Sequence, residues 1–388
     1  MRVSKRTKYY QESVIREMTR LAIEHDAINL SQGFPDFDPP EEVLRAAHEA
    51  IASGHNQYSP TWGVLDLRIK LAEHYSNKLG WDVDAEEHVT VTCGVTEAIN
   101  VAMFALLDPG DEIIIIEPAH ENFVPSALLA GARPVPVPLT DKNFRLDVDM
   151  LKKSLSENTM ALMLNTPHNP SGRVFDADEM LAISDLIINN NLVLITDEIY
   201  DRILYDGLIH VCPGSIEALR ERTVTLGGMS KTFAMTGWRL GYIIASTNLM
   251  KAMRPVHDYL TVCAPTPLQM AAVTALNLPQ EYYDDMLVDY HNRRDKMMSI
   301  LNAIGFRAQK PEGSYYVLAD YSNVPSKHSK KDSKSFAVWM TEELRVAVVP
   351  GEVFYTIPGY GYKTVRFAFP KQLSTLQAAA DRMDSYFL

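Results

Sequence analysis

Four short apolar runs in the sequence are each followed by residues that could bind a ligand or react with one. These residues are Gly94-Val95-Thr96, Asn169, Asp197-Glu198-Ile199-Tyr200, and Ser230-Lys231 with Arg239. A glycine and a hydroxyl residue that open a helix suit a phosphate group, because the free N–H groups there attract anions. A lysine in a Gly-rich turn behind a core strand becomes a nucleophilic amine when it is partly removed from water. These residue types could therefore hold a phosphorylated ligand beside a reactive amine.

Taken singly, each of these residues has an ordinary structural interpretation. Gly94 could belong to a tight turn, and Asn169 to a loop that two prolines make rigid. Asp197 could cap a helix, and Lys231 could be solvated. Ligands of open α/β sheets, however, collect beyond the carboxyl ends of the strands. An ordinary structural interpretation explains each turn singly, but chance explains much less well why all four turns come at one sheet edge. We therefore interpret the four turns as parts of one site.

The elements that must position these residues are visible as short β-branched runs between helical stretches. Near-continuous apolar runs are typical of strands that are covered on both faces. Their alternation with helices predicts an α/β unit with a mostly parallel sheet flanked by helices. The runs cover residues 89–93, 112–117, 160–165, 191–197, 223–227 and 240–245.

The pattern changes after residue 280. Residues 281–303 predict one long charged helix. The runs 314–319, 344–349 and 364–369, together with two helices, predict a smaller α+β unit. The sequence therefore predicts a domain boundary near residue 280.

Composition and charge argue against several classes of protein. Of the 388 residues, 46% are apolar and 22% are charged, as in globular proteins and unlike a disordered chain. The net charge of −12 argues against a broad nucleic-acid surface. Cys93, Cys212 and Cys263 are too widely spaced for a disulfide framework or a zinc site, so we expect no metal. No apolar run approaches the roughly 18 residues of a membrane span, and the basic N-terminus lacks the apolar core of a signal peptide. We therefore expect a cytoplasmic protein.

Five motifs, in chain order, resemble those of class I aminotransferases of the pyridoxal-phosphate fold type I superfamily. They are Ser31-Gln32-Gly33-Phe34-Pro35-Asp36, Asn165-Thr166-Pro167-His168-Asn169-Pro170-Ser171-Gly172, Asp197-Glu198-Ile199-Tyr200, Ser230-Lys231-Thr232-Phe233-Ala234-Met235-Thr236-Gly237-Trp238-Arg239 and Val365-Arg366-Phe367. The lysine motif is highly specific, and the chain looks most similar to the aromatic, kynurenine/glutamine and methionine branches. The resemblance implies a large cofactor-binding domain at 40–280, a small α+β domain at 1–39 and 281–388, and a homodimer that shares its active sites.

The resemblance also implies how residues would bind the cofactor, pyridoxal 5′-phosphate. Lys231 would form the Schiff base and then move the proton between Cα and C4′. Asp197 would keep the pyridine nitrogen protonated, which makes the ring an electron sink. Tyr200 and Asn169 would bind the phenolic oxygen of the ring and lower the pKa of the imine. The phosphate would be held by Gly94, Val95, Thr96, Ser230 and Arg239, and by Tyr58 reaching across from the other subunit.

Substrate binding is implied in the same way. Arg366 would clamp the α-carboxylate bidentately, helped by the backbone of Gly33 and by Asn169. Without the resemblance, Arg366 would be interpreted as an arginine on a half-exposed strand that points to water. His120 stands where these branches usually carry Phe, Tyr or Trp to stack on the cofactor ring. A protonated imidazole would be repelled by the cationic ring, so we expect His120 to be neutral if it lies there.

The implied reaction moves the amino group of an L-amino acid to a 2-oxo acid such as 2-oxoglutarate. Two alternatives on the same fold stay open: a C–S β-lyase that expels a β-substituent, and an aminotransferase that prefers aspartate. A transcription regulator built on such a domain would need an added DNA-binding module, which we do not expect because the resemblance begins almost at residue 1.

The donor amino acid is not identified by these motifs. Phe34, Trp62, Tyr259 and Tyr315 are candidate pocket residues, and His257 is the only basic residue within 255–267. We locate no dedicated cation for a distal carboxylate. We therefore expect aromatic, sulfur-containing or other neutral donors.

Overall fold

The structure of the chain is a computed structural model that describes residues 2–4, 7, 10, 12–140 and 143–387. The remaining residues are 1, 5, 6, 8, 9, 11, 141, 142 and 388, and those before residue 40 fall in the segment predicted to join the small domain. Within the described ranges, every helix is too short or too polar to cross a membrane.

The described residues form helices and strands that are named here in chain order. The helices are α1 (Val14–Glu24), α2 (Glu41–Ala52), α3 (Leu65–Leu79), α4 (Gly94–Leu106), α5 (Phe123–Ala130), α6 (Val148–Lys153), α7 (Ala177–Asn189), α8 (Thr247–Thr261), α9 (Thr266–Leu276), α10 (Gln280–Ile304), α11 (Ser333–Glu342) and α12 (Leu373–Phe387). The strands are β1 (Ile28–Asn29), β2 (Val89–Thr92), β3 (Glu112–Glu117), β4 (Arg133–Pro138), β5 (Thr159–Asn165), β6 (Val193–Asp197), β7 (Thr223–Gly228), β8 (Gly241–Ala245), β9 (Arg307–Ala308), β10 (Tyr316–Asp320), β11 (Val346–Ala347), β12 (Val349–Pro350) and β13 (Thr364–Ala368).

The central element is a seven-stranded sheet in the order β2-β8-β7-β6-β5-β3-β4. The strands from β7 to β4 run parallel, and β8 runs antiparallel to both of its neighbours. Alternate residues of β3 enter two apolar clusters: Ile113 and Ile115 pack with α4 and α5, whereas Ile114 and Ile116 pack with α7. Helices therefore cover both faces. The prediction of an α/β fold with a mostly parallel sheet is confirmed.

The edge strand β4 was not predicted, because three of its six residues are Pro134, Pro136 and Pro138. Proline lacks the N–H group that a strand ladder needs and is confined to edges and strand ends. The neighbouring N–H of Leu139 donates to the carbonyl of Glu117 at the end of β3. Since alternate residues point in opposite directions, the prolines direct their missing donors away from β3. The strand can therefore pair with β3 on one side only.

A second sheet, in the order β12-β13-β10-β9, is antiparallel and follows the long helix α10. The predicted run 344–349 is divided between β11 and β12, because β11 pairs with β1 and β12 pairs with β13. The parallel pairing of Ile28 with Val346 joins the N-terminal segment to the C-terminal part of the chain. The division into domains at residues 40 and 280 stays a prediction.

The strand ends that carry the candidate residues meet at one edge of the central sheet. β5, β6 and β7 end at Asn165, Asp197 and Gly228, and their register places Asn165 beside Asp197. β2 leads into α4 at Gly94 and runs in the same direction as β7, since both are antiparallel to β8. Four carboxyl ends therefore lie together, where ligands of such sheets bind.

Candidate active site

A cavity opens at this edge of the sheet, and most of the residues singled out from the sequence line it. The lining residues are Val95, Thr96, Ile99, His120, Asn122, Asn169, Asp197, Ile199, Tyr200, Ser230, Lys231, Thr236, Arg239 and Tyr316. Gly33, Gly94 and Arg366 adjoin the cavity through contacts with lining residues. Residues far apart in the sequence are thus brought to one place.

Asp197 is a buried acid at the end of β6, with 7% of its surface exposed. Its Oδ1 accepts a hydrogen bond from the N–H of Ile199 at 3.2 Å. Burial raises the pKa of Asp197 to about 7, because the charged form loses its water, although the Ile199 bond and Lys231 oppose the shift. A positively charged N–H partner in the cavity would restore the ordinary preference for the carboxylate.

Lys231 is the amine of the cavity. Its Nζ donates to the carbonyl of Gly33 at 3.0 Å. It lies 5.9 Å from the centroid of the Tyr200 ring and 5.5 Å from that of Tyr315. Burial lowers the pKa of Lys231, because the ammonium form is poorly solvated there. The neutral, nucleophilic amine is therefore more accessible near pH 7 than for a lysine in water.

An anion site lies at the start of α4. Gly94 has a φ of +76°, and a Cβ at this position would lie 2.5 Å from Nη2 of Arg239. Glycine therefore allows both the left-handed backbone and the close approach of the guanidinium. The first N–H groups of a helix lack intrahelical partners, and the hydroxyl-bearing Thr96 and Ser230 line the same cavity. This combination suits a phosphate group.

Arg366, on β13, is 1% exposed, so it does not point to water. Its Nη1 donates to Oδ1 of Asn169 at 3.0 Å, and its Nη2 donates to the carbonyl of Ser31 at 2.6 Å. Its Nε is buried and has no hydrogen-bond partner among the described residues. Asn169 is itself fixed, since its N–H donates to Oδ1 of Asn165 at 2.7 Å. The guanidinium is held in one orientation and keeps donors for a carboxylate.

His120 lines the cavity as a neutral ring. Burial, together with the positive charges of Arg366 and Lys231, lowers the pKa of His120 to about 3. Its Nδ1 accepts from the N–H of Asn122 at 3.3 Å. A neutral imidazole would not be repelled by a cationic ring, and the placement of His120 against the cofactor ring stays a prediction.

Several residues singled out from the sequence lie away from this cavity. Tyr58 and Tyr259 are 82% and 93% exposed. Trp62 packs under the guanidinium of Arg254, 4.5 Å from the ring centroid. The assignment of Tyr58 to the site of another subunit stays a prediction, and so do pocket roles for Trp62 and Tyr259.

His257, the one basic residue within 255–267, is occupied elsewhere. It is fully buried, and its Nδ1 lies 2.8 Å from Oε1 of Glu97. Its Nε2 lies 2.8 Å from the carbonyl of Thr61. Burial alone would lower the pKa of His257, but the hydrogen bond to Glu97 and its negative charge raise this pKa overall. This histidine is therefore a buried ion-pair partner and is not free to bind a substrate.

Five lining residues were given no role of their own from the sequence: Ile99, Asn122, Ile199, Thr236 and Tyr316. Tyr316 is the most informative, because the preceding residue, Tyr315, was chosen as a pocket candidate. The run 314–319 was predicted as a strand, and successive side chains of a strand point to opposite faces. The pattern signals that the two tyrosines differ in direction, but does not say which one faces the cavity.

The raised pKa of Asp197 predicts how the stability of the cofactor-free protein depends on pH. An unfolded aspartate has a pKa of about 3.9, so between that value and about 7 the folded chain binds more protons. Asp197 therefore destabilises the fold as the pH rises through this window. Asp197→Asn removes the charge and keeps an oxygen for the Ile199 N–H. The free energy of unfolding is measured by urea denaturation for the variant and for the wild type at pH 5 and pH 8. We expect the difference, variant minus wild type, to be about 1–3 kcal/mol more favourable to the variant at pH 8 than at pH 5.

Asp201 provides the matched control for this measurement. Burial alone would raise the pKa of Asp201. The ammonium of Lys78, whose Nζ lies 2.7 Å from Oδ2 of Asp201, lowers this pKa to about 2. Both folded and unfolded forms of this residue are ionised at pH 5 and above, so Asp201→Asn should change stability equally at pH 5 and pH 8. An equal effect of Asp197→Asn at the two pH values would show that Asp197 is ionised in the cofactor-free fold.

Comparison with known proteins agrees with the motifs and with the fold. Residues 25–382 match the family model of aminotransferase class I and II. The chain is 37% identical to methionine aminotransferase of Escherichia coli (strain K12) over 371 residues, 96% of this chain and 95% of that protein. It is 35% identical to aspartate aminotransferase of Pyrococcus abyssi (strain GE5 / Orsay), covering 99% and 98% of the two chains.

Solved structures give the same result. The structure of N-succinyldiaminopimelate aminotransferase from Mycobacterium tuberculosis matches with a TM-score of 0.95 and 35% identity, over 99% of this chain and 100% of that chain. The predicted family, fold and transfer of amino groups are confirmed. Because the family model covers most of the sequence and these relatives exceed 30% identity along nearly all of it, the chain belongs to the class I and II aminotransferases.

Proposed function

We propose that this aminotransferase uses pyridoxal 5′-phosphate to move the amino group of a neutral L-amino acid, aromatic or sulfur-containing, to a 2-oxo acid such as 2-oxoglutarate. The observation that carries the proposal is that Lys231 and Asp197 line one cavity together with the anion site at the start of α4. We also propose a cytoplasmic homodimer with shared active sites, and the domains 40–280 and 1–39 with 281–388.

The residues of the cavity fit this cofactor. A protonated pyridine nitrogen is the kind of partner that the buried Asp197 needs, because it would hold the carboxylate in its ionised form. The start of α4, with Arg239 and Ser230, supplies donors for a phosphate dianion. Lys231 supplies an amine of lowered pKa in the same cavity. The ring nitrogen, the phosphate and the aldehyde of the cofactor therefore each have a matching group in the cavity.

When bound, the cofactor supplies an electron sink that stabilises negative charge at the substrate Cα. Lys231 Nζ accepts the proton that leaves Cα, and its lowered pKa suits a base that works near neutral pH. Tyr200 Oη and Asn169 Nδ2, which line the cavity, would donate to the phenolic oxygen of the ring. Arg366 binds the substrate α-carboxylate, and its bonds to Asn169 and Ser31 fix the orientation of the guanidinium.

The charges around the cavity support a neutral donor. In the described part of the chain, the cations that line the cavity are Lys231 and Arg239, and Arg366 adjoins it. Each of the three has a role toward the cofactor or the α-carboxylate, and His257 is paired with Glu97. A charge-assisted contact contributes roughly 1.5–3 kcal/mol, which corresponds to about 10- to 150-fold in affinity. A donor with a distal carboxylate would lack that contribution from this chain.

A screen of amino donors tests the proposal. Phenylalanine, methionine, glutamine and aspartate are compared with 2-oxoglutarate, pyruvate and oxaloacetate as acceptors. We expect kcat/KM for phenylalanine or methionine to exceed that for aspartate by about 10- to 150-fold. As a matched control, Arg366→Gln removes the clamp for the carboxylate that all donors share, so it should lower kcat/KM for every donor by a similar factor.

Three results would contradict the proposed function. A higher kcat/KM for aspartate than for the three neutral donors would show that a cation was missed, in agreement with the aspartate-preferring alternative. Release of ammonia and pyruvate from a cysteine conjugate, faster than amino transfer from any donor, would identify a C–S β-lyase. A protein purified without cofactor that gains no activity with added pyridoxal phosphate would overturn the cofactor assignment.

A further inference from the structure

Tyr316 brings a hydroxyl group into the middle of the active site, where none of the roles given above uses it. The residue is 3% exposed, and its Oη lies 3.1 Å from Oη of Tyr200. Its ring packs under the guanidinium of Arg366, which lies 4.3 Å from the ring centroid. The hydroxyl therefore stands beside the residue that would hold the cofactor ring oxygen, and its ring supports the residue that would hold the substrate carboxylate.

Close packing fixes the position of this hydroxyl. A Cβ at Gly33 would lie 1.8 Å from Tyr316 Oη, so only glycine leaves the hydroxyl its place. The ladder between β10 and β13 pairs Tyr316 with Ala368 and holds its backbone. The rings of Tyr200 and Tyr316 meet edge to face, with centroids 5.7 Å apart. Tyr316 therefore cannot turn away from Tyr200 without displacing its neighbours.

A hydroxyl group donates one hydrogen bond and accepts others through its lone pairs. In the structure the hydroxyl of Tyr200 donates to that of Tyr316. Once Tyr200 donates to an anionic ring oxygen instead, its own oxygen is free to accept a bond from Tyr316. A hydroxyl that accepts such a bond is polarised and becomes a stronger donor.

We propose that Tyr316 is a positioning residue that acts through Tyr200, donating to its hydroxyl oxygen and thereby holding the Tyr200 O–H on the phenolic oxygen of the cofactor. This inference rests on the proposed function. In this inference the hydroxyl of Tyr316 affects the charge on the phenolic oxygen of the cofactor, and Arg366 binds the substrate carboxylate.

Several ionisable groups face this pair of hydroxyls. Tyr315 and Lys231 lie beside Tyr316, Asp197 lies near Tyr200, Tyr290 of α10 lies behind Tyr315, and Arg366 of β13 lies over the ring of Tyr316. Burial raises the pKa of Tyr200 and that of Tyr315 well above the usual range. The hydroxyls of Tyr200 and Tyr315 therefore keep their protons across the pH range of the test.

The readout is the pH midpoint of the visible absorbance change of the cofactor-loaded enzyme, recorded without substrate. A weaker Tyr200 donor leaves more negative charge on the ring oxygen, which then holds the neighbouring imine proton more tightly. Tyr316→Phe should therefore raise the midpoint by about 0.3–1 pH unit. Tyr316→3-fluorotyrosine keeps the ring and makes the hydroxyl a stronger donor, so it should lower the midpoint.

A double-mutant cycle separates an action through Tyr200 from a general structural effect. Tyr200→Phe should raise the midpoint more than Tyr316→Phe, and the double variant should match Tyr200→Phe alone. Tyr290→Phe removes a hydroxyl from the same aromatic cluster, where its ring contacts Tyr315 at 5.8 Å, and should leave the midpoint unchanged.

Two results would overturn the inference: an unchanged midpoint in Tyr316→Phe, whether or not the KM for the donor is raised, or the same shift added on top of Tyr200→Phe. Wild-type enzyme that shows no pH-dependent visible band would instead overturn the proposed function, and the inference with it. The two failures are thus distinguished by the wild-type spectrum.

Discussion

Lys231→Ala is expected to lower amino transfer by at least about 10⁴-fold, because the variant loses both the amine that would bind the cofactor covalently and the base at the substrate Cα. The substitution leaves unchanged the other residues that line the cavity, among them Asp197 and Arg239. The measurement is kcat/KM with the best neutral donor. In parallel, the wild-type protein is reduced with borohydride and digested. Peptide mapping should find the cofactor mass on the peptide that contains Lys231.

Lys371 is the rival amine in this test. It is 2% exposed, and burial lowers its pKa to about 8. Its Nζ donates to the carbonyl of Phe34 at 2.7 Å, one residue from Gly33. Lys371→Ala should nevertheless leave the reduced adduct on Lys231. An adduct found on Lys371 in the wild-type protein, or an adduct that persists in Lys231→Ala, would contradict the assignment.

Much of the site follows from local sequence, since its residues stand directly beyond strand ends. An apolar run and the turn that ends it can be recognised within about ten residues, as for Asp197 after β6 and Lys231 after β7. In a parallel sheet the carboxyl ends of strands then meet without further information. The gathering of Asn169, Asp197 and Lys231 in one cavity was therefore accessible from the sequence.

The parts that were missed depend on contacts between distant segments. β4 is a strand only because β3 offers it one free edge, and its prolines conceal this locally. Tyr316 faces the cavity because β10 pairs with β13 and because Gly33 leaves room for its hydroxyl. No pattern within either segment carries these facts. The residues that would bind and react with the cofactor were thus predicted from the sequence, whereas Tyr316, which contacts them from a distant segment, was not.

Two of the aromatic residues singled out from the sequence, Tyr58 and Tyr259, are strongly exposed in the single chain. Tyr58 is 82% exposed and Tyr259 is 93% exposed. Neither lines the cavity of its own chain. The proposed homodimer accounts for both observations, because a second subunit would cover these side chains and could receive the hydroxyl of Tyr58 at its phosphate site.

Two inactive variants are expected to restore activity when they are combined, if each active site is built from two chains. Tyr58→Asp places a carboxylate beside the phosphate dianion and should weaken cofactor binding by like-charge repulsion, whereas Lys231→Ala removes the amine. In a mixed dimer, one site carries both defects and the other combines an intact Lys231 with an intact Tyr58. Random pairing makes about half of the dimers mixed, so about a quarter of all sites should work after co-expression.

The control for this experiment is a pair of defects that lie in the same chain's cavity. Lys231 and Asp197 line one cavity, so mixed dimers of Lys231→Ala and Asp197→Ala contain no intact site and should stay inactive. Mass spectrometry of the intact dimers establishes that mixed species are present in both samples. If the Tyr58→Asp and Lys231→Ala mixture is then no more active than the sum of its two parents, Tyr58 serves its own subunit or no site at all. Activity near a quarter of the wild-type value, confined to the Tyr58 mixture, would instead require the hydroxyl of Tyr58 to act in the active site of the other subunit.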